Sequence, residues 1–77
     1  MSRDYTNERA FEDAQNIRNN AKNPDFLRAR IFNLQRTIDN AQRCISGRGT
    51  DDDMDRYMEI RVAQDNITLC ESLLSRL

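Results

Sequence analysis

The segment from Leu27 to Ile45 places its apolar residues at steps of four and three along the chain. These residues are Leu27, Ile31, Leu34, Ile38, Ala41 and Ile45. Such spacing gathers all six side chains into one narrow row along an α-helix. A second row of this kind follows near the C-terminus and consists of Ile60, Ala63, Ile67, Cys70, Leu74 and Leu77. The two rows predict two helices that pack against each other along a seam.

Start and stop signals give the limits of the first of these helices. The sequence Asn-Pro-Asp at 23–25 combines an N-cap side chain, a proline at the first helical position and an acid in the first turn. Gly47 can adopt the left-handed backbone conformation that ends a helix. We therefore expect a helix over residues 24–46, the second of the chain.

The helix that follows has an equally clear start. Thr50 is a good N-cap residue, and Asp53 stands three positions later, as in a capping box with aspartate in place of glutamate. The predicted third helix covers residues 51–76. Because only a short turn joins it to the second helix, the two should form a long antiparallel hairpin.

A further helix is expected over residues 6–20, with Thr6 or Asp4 as its N-cap. The chain should therefore be all-α, with three helices in a single domain. Three asparagines weaken the last turns of the first helix. Its apolar face comprises Ala10, Phe11, Ala14, Ile17 and Ala21, joined by Tyr5 ahead of it.

Several large apolar residues lie off the seam and need a cover. They are Phe26, Phe32, Met54, Met58, Val62, Leu69 and Leu73. Two arrangements remain open: a compact three-helix bundle that exposes part of this second stripe, or two hairpins paired as a four-helix homodimer. We favour the homodimer, because a chain of 77 residues buries only roughly 60% of its unfolded surface when it folds alone.

The composition argues against catalysis and against a resident cofactor or metal. The chain has no histidine, which excludes Ser/His/Asp and Cys/His chemistry and imidazole ligation. Cys44 and Cys70 should lie roughly 25 Å apart in an antiparallel hairpin, too far for a disulfide, and we expect both to be small buried apolar side chains. The aspartates at 51, 53 and 55 begin like a calcium loop, but the sixth position of that loop is Arg56, where glycine is required.

Charge is unevenly distributed although the net charge is −1. Residues 22–49 carry six basic and two acidic side chains, and residues 50–77 carry three basic and seven acidic ones. The basic second helix suggests, as an alternative function, a nucleic-acid-binding dimer that uses Arg28, Arg36, Arg43 and Arg48. No signal peptide and no membrane-spanning run is apparent, so we expect a cytoplasmic protein without membrane contact.

The expected function is non-catalytic binding of a larger protein or nucleoprotein complex, as a regulator, adaptor or inhibitor. A viral or mobile-element factor that blocks host machinery would have this size and style, and a structural coiled-coil assembly component is a further alternative. Two features are candidates for the protein-binding surface. The first is a docking stripe of Phe32, Met58, Val62, Leu69 and Leu73, and the second is an acidic knob of Asp51, Asp52, Asp53 and Asp55.

Overall fold

The computed structural model describes residues 2–77, and it describes side chains from Phe11 onward. It contains three α-helices in chain order, which are α1 (Ser2–Asn19), α2 (Pro24–Cys44) and α3 (Asp51–Ser75). No strand occurs within the described range. The prediction of an all-α chain with three helices is confirmed.

Helices α2 and α3 pack closely as an antiparallel hairpin. Leu27, in the first turn of α2, shares a core cluster with Cys70, near the end of α3. Alternate members of the two predicted rows are buried along the seam, and these are Leu27, Leu34, Ala41, Ala63 and Cys70. Leu77 departs from the prediction and is 62% exposed, because α3 ends at Ser75, two residues before it.

The predicted start of α2 is confirmed, whereas its end comes earlier than expected. Asn23 Oδ1 accepts a hydrogen bond from the Phe26 N–H at 3.2 Å, and Pro24 takes the first helical position. The helix ends at Cys44 with Ile45 as an extended C-cap residue. Gly47 does have a positive φ of 79°, but it lies in the connecting loop and does not end the helix.

Helix α1 begins earlier than predicted, at Ser2. Thr6 and Asp4 are therefore inside the helix and neither is its N-cap residue, since no proline or glycine near the N-terminus interrupts the helical backbone. The sequence analysis placed Tyr5 and Ala10 in the apolar face of this helix, but their side chains lie outside the described part of the structure. Of the two large apolar residues in the predicted face, Ile17 is fully buried and Phe11 is 62% exposed.

The direction of α1 follows from its contacts with the hairpin. Asp13 contacts Asn66, and one turn later Ile17 packs in the same cluster as Cys70. From the first of these contacts to the second, the residue numbers rise by four in both helices, from 13 to 17 and from 66 to 70. Helix α1 therefore runs parallel to α3 and antiparallel to α2. The first helix thus covers one side of the hairpin and leaves the other side without a helix of its own chain.

Candidate interaction surfaces

A polar junction joins all three helices. Asp13 of α1 forms an ion pair with the Arg30 guanidinium of α2 at 2.6 Å and accepts a hydrogen bond from the Asn66 side-chain amide of α3 at 3.2 Å. Asn66 is buried, and the Asp13 side chain is only 17% exposed. Arg30 Nε is buried and has no hydrogen-bond partner among the residues whose side chains the structure describes. Sequence reasoning missed this junction, although Asn66 interrupts an otherwise apolar row of α3.

The apolar core lies beside this junction and uses part of the predicted docking stripe. Its fully buried members are Ile17, Leu27 and Cys70. Leu69 and Leu73 are half-buried and pack against that cluster. They follow Asn66, which contacts Asp13 of α1, by three and seven residues, so they lie on the side of α3 that faces α1.

The remaining stripe residues lie in two different places. Met58 and Val62 are half-buried on α3, three and two helical turns before Leu69 on the same face. Phe32 is on α2 and is 59% exposed. The predicted stripe is therefore divided between the α1 side of α3 and the solvent-facing side of α2.

The outer face of α2 is the side that points away from α3. It contains Phe32, Arg36 and Arg43, all exposed, with Arg36 one helical turn and Arg43 three turns after Phe32. Asp39 is also exposed and accepts a hydrogen bond from the Arg43 guanidinium at 3.4 Å. The outer face thus presents one aromatic ring with two arginines, and two exposed carboxylates, Asp39 and Asp25 seven residues before Phe32, offset the charge of the arginines.

The loop between α2 and α3 folds around one carboxylate. Asp53 accepts hydrogen bonds from the N–H groups of Ser46, Arg48 and Gly49 at 2.9, 3.1 and 3.2 Å, and from the Ser46 hydroxyl. Its own N–H donates to Thr50 Oγ1 at 3.2 Å. The Thr50 half of the predicted capping box is confirmed, but the Asp53 carboxylate binds the loop.

These hydrogen bonds lower the pKa of the Asp53 carboxyl. The Ser46 N–H lowers the pKa of the carboxyl most, burial opposes it, and the Ser46 hydroxyl with the N–H groups of Gly49 and Arg48 lowers the pKa further. The side chain is 1% exposed. Of the predicted acidic knob, Asp51 and Asp52 are exposed and Asp55 is half-buried, while the Asp53 charge is held inside the loop.

The alternative nucleic-acid residues are spread over more than one surface. Arg36 and Arg43 belong to the outer face of α2, Arg48 is exposed in the connecting loop, and Arg28 is exposed on another flank of α2. Residues two positions apart in an α-helix point about 200° apart around its axis. Arg28 lies two positions before Arg30, so the two side chains point in nearly opposite directions. Since Arg30 faces α1, Arg28 faces the side of the hairpin that α1 leaves uncovered.

That uncovered side is a second surface that the sequence analysis did not separate from the seam. Its apolar row consists of the half-buried alternate seam residues Ile31, Ile38, Ile45, Ile60, Ile67 and Leu74. Exposed side chains flank this row at seven-residue spacing, namely Arg28, Gln35 and Gln42 on α2 and Tyr57, Gln64 and Glu71 on α3. We call the row with its two flanks the open face. The sequence does indicate such a surface, because it predicts only one helix besides the hairpin, and one helix can cover only one side of a hairpin.

The two cysteines are free and differ in environment. Cys70 is buried in the core, and its burial raises the pKa of the thiol, with the negative charge of Asp13 raising it further. Cys44 is exposed, contrary to the expectation that both are buried. It is the last residue of α2 and lies one position before the seam residue Ile45, which places it off the buried row.

The described residues contain no cluster of three or more acidic or cysteine side chains that could hold a metal ion. Each helix in the described part of the chain is too polar or too short in apolar length to cross a bilayer. No family model, no curated protein and no solved structure matches this chain.

Proposed function

We propose that this chain is a non-catalytic binding protein that presents the outer face of α2 to a larger protein. The observation that carries the proposal is Phe32, which is 59% exposed in the middle of a well-formed helix. Burying a phenylalanine side chain stabilises a complex by about 1–2 kcal/mol. Aromatic and arginine side chains are also the residues that most often anchor protein interfaces.

The charge of the outer face defines the chemistry of the partner. Arg36 and Arg43 lie one and three helical turns after Phe32 on this face, and Asp25 lies two turns before it. The complementary surface is therefore a groove with an apolar floor and acidic groups at the end that receives the C-terminal half of α2. A protein that inserts a helix into such a groove can act as a regulator, adaptor or inhibitor without chemistry of its own.

A nucleic acid is the second candidate partner, since arginines bind phosphate and an exposed aromatic ring can stack on a base. Asp39 argues for the protein partner. It lies on the same face and pairs with Arg43, which lowers the positive charge available to a phosphate backbone.

Site-specific photo-crosslinking in the cells that make this protein tests the proposal. A photoreactive phenylalanine analogue replaces Phe32, and a matched control carries the analogue at Thr68, an exposed position on α3. We expect a discrete adduct with a different protein from position 32, none from position 68, and loss of the adduct when Arg36→Glu is added. Identical adducts from both positions, or none from position 32, would contradict the proposal.

A titration against duplex DNA at two salt concentrations distinguishes the second candidate. Phosphate contacts make the affinity fall steeply as salt is raised. The proposed protein partner predicts no salt-sensitive DNA binding, and Arg36→Glu should then have no effect in this assay. Tight binding that weakens with salt and with Arg36→Glu would favour the nucleic-acid function.

A further inference from the structure

The chain exposes more surface than a compact monomer of its mass. A compact folded protein of 9.1 kDa exposes roughly 4,900 Å², whereas this chain exposes 5848 Å². The excess is roughly 950 Å². Each partner in a protein interface of standard size buries about 800 Å², so the excess matches one such interface.

The open face is the part of the hairpin where apolar side chains remain incompletely covered. Its row alternates strictly with the buried seam residues, and each of its six members is half-buried. In an antiparallel four-helix bundle, a row at this position of each helix points to the bundle axis. A second hairpin laid on the open face would complete such a bundle.

The flanks of the open face are complementary under a two-fold rotation. Arg28 of α2 and Glu71 of α3 follow directly after Leu27 and Cys70, which share the core cluster, so both lie at the same end of the hairpin. Neither has an ion pair within the described residues. If the two-fold axis runs parallel to the helices, each α2 lies against the α3 of the other copy, and each Arg28 meets the Glu71 of the other copy.

We propose that the open face binds a second copy of this chain, with α2 of each copy against α3 of the other, and that the product is a symmetric dimer with a four-helix core. Gln35 and Gln64 then lie near the middle of the interface, and two Arg28–Glu71 pairs lie at its end. The outer face of α2 points away from the interface. The dimer therefore carries two copies of the surface proposed to bind a larger partner, and neither proposal depends on the other.

The test is the solution mass of the full chain under reducing conditions, measured over a range of protein concentrations. We expect twice the 9.1 kDa chain mass at high concentration. The double variant Gln35→Glu, Gln64→Glu gathers four carboxylates in the middle of the interface and should weaken the dimer about tenfold or more. The control Asn33→Asp, Asn40→Asp makes the same charge change on exposed residues outside the open face and should leave the dimer unchanged.

Charge exchange tests the orientation of the two copies. Arg28→Glu and Glu71→Arg should each raise the dissociation constant about tenfold, because each creates two like-charge contacts in a symmetric dimer. Both substitutions together should restore it to within about threefold of the wild-type value. A monomer at every concentration, a dimer indifferent to Gln35→Glu, Gln64→Glu, or a charge exchange that restores nothing would overturn the proposal. Circular dichroism of each variant verifies that the helices are retained.

Discussion

Asp13 Oδ1 lies 2.6 Å from a terminal nitrogen of the Arg30 guanidinium and joins the first helix to the second. The other carboxylate oxygen of Asp13 accepts a hydrogen bond from Asn66, 53 residues away in the sequence. One carboxylate therefore fixes the position of α1 along both helices of the hairpin. Among the α1 side chains that the structure describes, Ile17 is the one large apolar residue that is buried, so this polar junction has a large share in the register of that part of the helix.

The first prediction concerns this junction. Asp13→Ala should lower the free energy of unfolding by about 2 kcal/mol, because it leaves the Asn66 amide and the Arg30 guanidinium without their acceptor. The exposed neighbour Glu12 provides the control, and Glu12→Ala should change stability by less than about 0.5 kcal/mol. Urea unfolding measures both variants.

A double-mutant cycle with Arg30→Ala separates the pair from its surroundings. We expect a coupling free energy of about 1 kcal/mol between Asp13 and Arg30. A coupling near zero would mean that the two side chains do not hold each other in solution, and the register of α1 would need another cause.

The second prediction concerns the loop around Asp53. Asp53→Asn should lower Tm by several degrees, because an amide group would turn its own N–H donors toward the N–H groups of Ser46, Arg48 or Gly49. Asp52→Asn makes the same change of charge at an exposed neighbour and should leave Tm nearly unchanged. Equal effects of the two substitutions would show that only net charge matters here.

Lowering the pH should remove the stabilisation of the folded state that the ionised Asp53 carboxylate provides. The loop holds the pKa of this carboxyl below its ordinary value of 3.8, so the folded state binds the proton less readily than the unfolded state. The stabilisation is therefore fully present above about pH 5 and is lost as the pH falls through the lowered pKa. The difference in Tm between the wild type and Asp53→Asn should be constant near neutral pH and should shrink below pH 3.8. A difference that grows in acid would contradict this account of the loop.

The third prediction separates two residues of the predicted docking stripe. Leu69→Ala should lower the free energy of unfolding by about 1–2 kcal/mol, since Leu69 packs against the buried core. Phe32→Ala should change it by less than about 0.5 kcal/mol, because the ring is largely exposed. Chemical denaturation of the two variants under identical conditions measures this contrast. Similar losses for both would place Phe32 in the core.

The fourth prediction concerns the thiols. Cys44 should react quickly with a disulfide reagent such as DTNB, whereas Cys70 should react at least about tenfold more slowly, because it is buried and its thiol pKa is raised. The variant Cys44→Ser should lose the fast phase and keep the slow one. A fast phase that survives Cys44→Ser would show that the core around Cys70 opens readily.

The sequence predicts the local features of this fold well. The seam spacing in residues 27–45, the Asn23 and Thr50 caps and the short turn depend only on contacts between near neighbours, and all of them are found in the structure. Periodicity also places Leu27 and Cys70 on the facing sides of their helices. Such features follow from the helical period and from capping chemistry alone.

The features that depend on distant contacts were not predicted. Spacing shows that Leu69 and Phe32 are off the seam, but the position of α1 decides that one is covered and the other exposed. Asp53 has the sequence signature of a capping residue, yet the path of the loop turns its carboxylate to Ser46. The open face likewise becomes visible only when the side covered by α1 is known.

The most direct test of the central claim, that α1 covers one side of the hairpin and leaves Phe32 outside the core, is a nuclear Overhauser spectrum of the folded chain. It should contain cross-peaks from the Ile17 methyl groups to Leu27 and to Cys70, and none between the Phe32 ring and Leu69 of the same chain. Cross-peaks from Phe32 to Leu69 within one chain, or an Ile17 without contacts to the hairpin, would contradict the claim.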